Sequence, residues 1–196
     1  MQYRIERDSI GEKQVPVDAY YGVQAMRGHE NFHITGHRLQ KEYIESIAEI
    51  KIAAATVNYE CGELNKNVCE AICRASREIL EGKFLNEFIC DPVQGSAGTT
   101  INMNANEVIA NRAIEILGGT KGDYTVVHPN DHVNRSQSTN DVIPTAGKLT
   151  AIKLLKKAQL QLQRLEKALG IKEKEFWNIV KMGRTEMQDA VPIRLG

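Results

Sequence analysis

Apolar residues spaced three and four apart run for nearly thirty positions through the last third of the chain: Val142, Ala146, Leu149, Ile152, Leu155, Ala158, Leu162, Leu165 and Leu169. That period belongs to a helix and not to a strand. A helix so long, with one apolar stripe, cannot cover the stripe itself and belongs in an extended bundle. Pro144 near its start is tolerable in a first turn, where backbone N–H groups lack partners. Downstream, the chain supplies one further short helical candidate, about Glu173 to Lys181, so the bundle is unfinished within these residues.

Helical periods also dominate upstream. Ile44, Ile47, Ala48, Lys51, Ala54, Val57 and Cys61 form one stripe, stopped by Gly62. Cys69, Ile72, Cys73, Ser76, Ile79 and Leu80 form a second, ended by Gly82. Between Ile101 and Leu117 apolar residues fall on almost every face, which predicts a helix buried all round. Gly118, Gly119, Gly122, Pro129, Asn130 and Asp131 mark residues 118–136 as an extended loop. The expectation is a mainly α chain: a helical N-terminal domain over 1–137, then the beginning of a long-helix bundle over 138–196.

Charge excludes several partners. Lys+Arg and Asp+Glu balance at 25 each, which removes the electrostatic case for nucleic acid or an acidic membrane. No apolar stretch approaches the roughly 20 residues that span a bilayer. The opening Met1-Gln2-Tyr3-Arg4-Ile5-Glu6-Arg7-Asp8 is too charged for a signal peptide, so a cytoplasmic location is expected. Cys69 and Cys73 share a helix face, but no His or further Cys completes a metal set; they read as small buried apolar residues, and no metal or cofactor is expected.

Three polar segments stand out. The first, Gly95-Ser96-Ala97-Gly98-Thr99-Thr100, opens the buried helix: glycines allow close approach, and free N–H groups at a helix start favour an anion. It lacks the Gly-Lys-Ser/Thr ending of a phosphate loop, and an ordinary capped turn is the plain alternative. Behind it, Asn102, Asn104, Asn106 and Asn111, with Glu107 and Arg112, sit among apolar residues. Each buried amide left unpaired costs about 1–3 kcal/mol, so these residues imply a satisfied network, as inter-helix glue or as a site wall. The second segment, Ser136 to Asp141, offers Ser138, Thr139 and Asn140 at the start of the long helix, where an N-cap needs only one. Two helix starts dressed with neutral donors suit a small ligand with two carboxylates. The third, Gly183 to Ala190, holds Arg184, which fits a carboxylate partner or a plain salt bridge. His128 and His132 are the natural proton carriers, although loop histidines are more often structural.

Taken together and in order, these segments resemble the aspartase/fumarase superfamily. GSAGTTINMNANEVIANR (Gly95 to Arg112), HPNDHVNRSQSTND (His128 to Asp141) and KMGRTEMQDAVP (Lys181 to Pro192) look like its three signature blocks, and Gly11 to Lys13 with Asp18 to Gln24 matches its N-terminus. His132 and the Ser138-Thr139-Asn140 triplet are similar to the aspartase version, where fumarases more usually carry Asp and Ser-Ser-Asn. The resemblance implies reversible elimination of ammonia from L-aspartate to give fumarate through an aci-carboxylate, with fumarate hydration or a substituted-aspartate lyase as the alternative. A non-catalytic helical assembly module is the remote one.

The same resemblance implies that Thr99, Thr100, Asn102, Ser138, Thr139, Asn140, Thr185 and Glu186 bind substrate, with His132 a possible member. It implies a small dicarboxylate or amino-acid substrate and a homotetramer whose sites draw on three subunits. Two departures stand out. Glu186 occupies a position where relatives usually carry His or Gln, and a carboxylate there would repel a dianion unless protonated, turned away or paired. The family's catalytic serine lies on a loop of the type Gly-Ser-Ser-x-Met-Pro-x-Lys-x-Asn-Pro, which these residues do not contain. The expectation is therefore a substrate-holding chain whose base lies beyond Gly196, inactive by itself.

Overall fold

The helix expected behind the first polar segment forms as α4 (Thr99–Ile116) and organises the first of two units. The computed structural model describes residues 2–196, with the backbone alone at Ser96. It divides into one unit up to Ala151 and a second over Ile152–Gly196. In the first, β1 (Tyr3–Arg7) pairs antiparallel with β2 (Glu12–Pro16), Tyr3 opposite Pro16 and Arg7 opposite Glu12. Helices α1 (Val23–Asn31), α2 (Lys41–Glu60) and α3 (Lys66–Leu80) follow. All three touch α4, whose apolar residues Ala105, Val108, Ile109, Ala110, Ala113 and Ile114 lie at the centre of the core.

The helix boundaries have local causes. Asn65 caps α3, its side-chain oxygen accepting from the Val68 N–H at 3.0 Å. Gly62 and Gly82 take φ of +78° and +90° at the ends of α2 and α3, as their expected stop role requires. The α3 stripe buries as expected, apart from a partly buried Leu80, and Cys69 donates its S–H to the Ala55 carbonyl. The α2 stripe does not follow the expected line. Past Lys51 the buried positions are Ala55 and Asn58, whereas Val57 is 55% exposed and Cys61 lies outside the helix. A polar residue, Asn58, continues the buried face because its amide donates to the Arg135 carbonyl at 2.9 Å.

The start of α1 is capped from a distance. Its N-cap Gly22 has no side chain to offer, and two buried carboxylates from other elements take its place. Glu107 of α4 accepts from the N–H groups of Gly22, Gln24 and Ala25 at 2.9, 2.8 and 2.9 Å. Glu6 of β1 accepts from Val23 N–H at 2.9 Å and from the Tyr124 hydroxyl at 2.9 Å. Any Cβ at residue 22 would meet Tyr124 Oη at 2.4 Å and Glu6 Oε2 at 2.7 Å, so the position admits glycine only. Burial pushes the Glu107 carboxyl up to about 7, against the pull of the backbone donors and helped by nearby Glu6. The β1–β2 hairpin escapes a period-two reading because its buried residue in β1 is this Glu6.

The region 118–136 is not a plain loop: Pro129–Val133 makes a π-helical turn. After it, α5 (Thr139–Glu175) begins where the sequence placed it. Pro144 is the sixth residue of α5, beyond the first turn, so the Asn140 carbonyl loses the N–H it would otherwise meet in the helix. The early turns of α5 bury Val142, Ala146 and Thr150, and Thr150 donates its hydroxyl to the Ala146 carbonyl at 2.7 Å. In the second unit Ile152, Leu155, Leu162, Leu165 and Leu169 are each more than half exposed.

The short helix expected at Glu173 to Lys181 does not form. Helix α5 stops at Glu175, and β3 (Val180–Thr185) pairs antiparallel with β4 (Gln188–Arg194). Val180 and the alternate partners of β4 favour extended backbone, and the register shifts at Gly183, where a Cβ would lie 2.9 Å from the Val191 carbonyl oxygen. The two-residue turn between Thr185 and Gln188 places Glu186 and Met187 at φ of +51° and +62°. That geometry normally draws Asn-Gly.

Two outcomes follow. Glu107→Gln leaves at least one α1 N–H facing an amide NH2 and lowers the unfolding free energy by about 1–3 kcal/mol, read from the urea midpoint. Replacing Glu186-Met187 by Asn-Gly relieves left-handed strain and stabilises the hairpin by roughly 1–2 kcal/mol; unchanged amide-exchange protection across β3 and β4 would contradict it.

Candidate substrate-binding site

The first and second polar segments meet. Ala97 and Gly98 turn the chain into α4 with φ of +50° and +86°. At Gly98 a Cβ would stand 2.8 Å from Ile143 Cγ2, so the start of α4 packs directly on the first turns of α5. Ser138 caps α5: its carbonyl accepts from the Asp141 and Val142 N–H groups at 3.1 Å, and its hydroxyl oxygen accepts from the Asn140 N–H at 3.2 Å. Asn102, 1% exposed, closes the junction by donating from Nδ2 to Thr139 Oγ1 at 3.1 Å and to Asn134 Oδ1 at 3.0 Å. Two helix N-termini, each with positive dipole character, thus converge beside hydroxyl and amide donors. Thr99 is exposed at the first residue of α4, and Ser138 and Asn140 are exposed at the start of α5.

Behind the junction sits a residue that the sequence reading passed over. Lys51 of α2 is 0% exposed and donates to Asn134 Oδ1 at 2.8 Å and Gln137 Oε1 at 3.0 Å. Burial pushes its ammonium down to about 7. Asn134 in turn donates to the Gln137 carbonyl at 3.1 Å, and Gln137 donates to the Val133 carbonyl at 2.9 Å. Lys51 and Asn58 therefore staple residues 133–137 to α2, and that segment leads straight into Ser138-Thr139-Asn140. The available signal was a lysine in the middle of an apolar stripe.

The remaining expected residues divide. Asn104 and Asn111 are glue: Asn104 bridges Ile89 N–H and the Glu87 carbonyl at 2.9 Å each, and Asn111 joins the Tyr20 carbonyl to Gly122 N–H. Asn102 belongs to the site wall, and its Oδ1, like that of Asn106, is buried without a hydrogen-bond partner among the described residues. Thr100 packs its methyl on α1, where a Cβ at Gly28 would lie 1.8 Å from it. Both histidines cap their own π turn. His128 Nδ1 accepts from Asn130 and Asp131 N–H groups, and His132 Nδ1 accepts from His128 N–H at 2.8 Å. Burial, then His128, lowers the pKa of His132. Thr185 and Glu186 lie exposed at the β3–β4 turn of the second unit, where Arg184 pairs with Asp189 at 2.6 Å.

Comparisons with known proteins give the family. A family described as "Lyase" matches residues 11–196. Aspartate ammonia-lyase of Bacillus subtilis (strain 168) is 52% identical over 195 residues, covering 100% of this chain and 41% of the relative. Fumarate hydratase class II of Nitrosomonas europaea is 47% identical over 196 residues, covering 100% and 42%. Among solved structures, the fumarate lyase:delta crystallin of Brucella melitensis bound to cobalt superposes with a TM-score of 0.88 at 47% identity, covering 99% of this chain and 43% of that one. The chain thus spans about two fifths of the length of the curated relatives it matches. Its signature blocks, its helical fold and these matches together make the chain a member of the lyase family of the aspartase/fumarase superfamily.

Proposed function

We propose that the chain is the substrate-holding part of an ammonia-lyase that reversibly eliminates ammonia from L-aspartate to give fumarate. The observation that carries the proposal is the convergence of the α4 and α5 N-termini, bridged by Asn102 to Thr139. A carboxylate placed there meets hydroxyl groups of Thr99, Ser138 and Thr139 together with helix-end N–H groups. When a base removes the proton beside that carboxylate, charge accumulates on its oxygens as an aci-carboxylate. Donors fixed in advance around those oxygens lower the barrier more than a strong acid would. Asn140 stands at the same helix start for the amino group. Thr185 and Glu186, on the β3–β4 turn, are proposed to bind substrate as well, the Glu186 carboxylate serving as partner for its ammonium group.

The choice of aspartate over malate is supported by the Ser138-Thr139-Asn140 triplet and His132, and by the 52% identity to the Bacillus subtilis aspartate ammonia-lyase. The base is proposed to come from a serine loop of the family type. The exposed Leu155, Leu162, Leu165 and Leu169 support a homo-oligomer assembled through α5, a tetramer on the family pattern. Soluble, cytoplasmic work on a small metabolite fits the balanced charge, and no described helix is long and apolar enough to cross a membrane.

The test is a hybrid in which residues 1–196 replace the matching segment of the Bacillus subtilis aspartate ammonia-lyase. Fumarate release, followed by ultraviolet absorbance, is expected to favour aspartate over malate by at least about a hundredfold in kcat/KM, since a site built for an N–H group rejects its replacement. Comparable turnover of malate would overturn the assignment in favour of fumarate hydration.

A further inference from the structure

Asn134 Nδ2 donates to the Gln137 backbone carbonyl at 3.1 Å, and a carbonyl only accepts. The other end of the Asn134 amide is therefore its oxygen, and it accepts from the Lys51 ammonium at 2.8 Å. The same oxygen can take Asn102 only as a donor, which fixes the Nδ2 of Asn102 toward it at 3.0 Å. Asn102 Nδ2 then also donates to Thr139 Oγ1 at 3.1 Å. A hydroxyl oxygen that accepts from Asn102 keeps its own proton for another partner. With Nδ2 toward Asn134 and Thr139, Asn102 Oδ1 is buried and unpaired among the described residues.

We propose that Lys51 is a positioning residue: with the Gln137 carbonyl it holds the Asn134 amide, and through Asn134 and Asn102 it keeps the hydrogen-bond relay directed so that the Thr139 hydroxyl has its proton free for the ligand. The relay makes this part of the pocket specific for an acceptor, a carboxylate oxygen, without placing a formal charge in contact with it. The inference deepens the reading that Thr139 touches a substrate carboxylate and rests on it for its functional consequence. The relay itself is a property of the first unit alone.

Two measurements separate the relay from that reading. In residues 1–196, labelled with 15N, exchange of the Asn102 side-chain NH2 protons is expected to be slow in wild type. In Lys51→Met it is expected to speed at least about tenfold, while backbone amides of α3 keep their protection. Unchanged exchange of the Asn102 amide overturns the relay. In the hybrid enzyme, Lys51→Met is expected to raise KM for aspartate about tenfold with a smaller change in kcat, the pattern of lost uniform binding. In a Thr139→Val background the same change has no further effect on KM, whereas Thr139→Ser retains the dependence. A KM increase of equal size in the Thr139→Val background assigns Lys51 a general structural role and overturns the proposal. If Lys51→Met does not fold, Asn102→Leu breaks the relay one step later and is expected to give the same KM increase, again absent with Thr139→Val. A wild-type hybrid without aspartate turnover refutes the substrate reading, and the Asn102 amide exchange still decides the relay.

Discussion

A helix buried on nearly every side cannot carry polar side chains unless each finds a particular partner, and α4 carries several. Glu107 holds the start of α1, Asn104 holds the backbone at Glu87 and Ile89, and Asn111 holds Tyr20 and Gly122. Arg112 makes a forked contact with Glu78 of α3 at 2.6 and 3.0 Å. The surrounding elements are thus pinned to α4 by directional bonds as well as by packing. Apolar contact alone would let α1 slide or rotate; three N–H groups converging on one carboxylate do not.

The same rule builds the junction of α4 and α5. Behind its exposed polar groups, Asn102, Asn134, Gln137 and Lys51 form one hydrogen-bonded network that reaches Thr139. The layer that ligand would touch is neutral, and the one cation in the network is wholly enclosed. Lys51 with its two amide oxygens is a costly arrangement to desolvate.

Much of this was legible beforehand because it depends on local pattern. The α3 stripe, the Gly62 and Gly82 stops, the start of α5 and the pairing of two donor-bearing helix starts all follow from spacing and residue chemistry. What escaped depended on distant partners. The β1–β2 hairpin hid behind Glu6, buried where an apolar residue was expected because it caps α1. The swing of the α2 face from Val57 to Asn58 required knowing that residue 135 would offer a carbonyl. By spacing Lys51 is one more member of a stripe, but it hydrogen-bonds Asn134 and Gln137. The helix expected at Glu173 to Lys181 gave way because α5 runs on to Glu175 and the chain pairs as a strand from Val180.

Gly98 carries a consequence beyond close packing. By admitting Ile143 it brings the like ends of two helix dipoles side by side, which builds an electrostatic repulsion into the backbone. An anion held there, as proposed, would offset that repulsion and be attracted to both ends at once. Ligand affinity and thermal stability would then be coupled through one contact. Stability given up to hold the helix ends together would reappear as affinity for the anion.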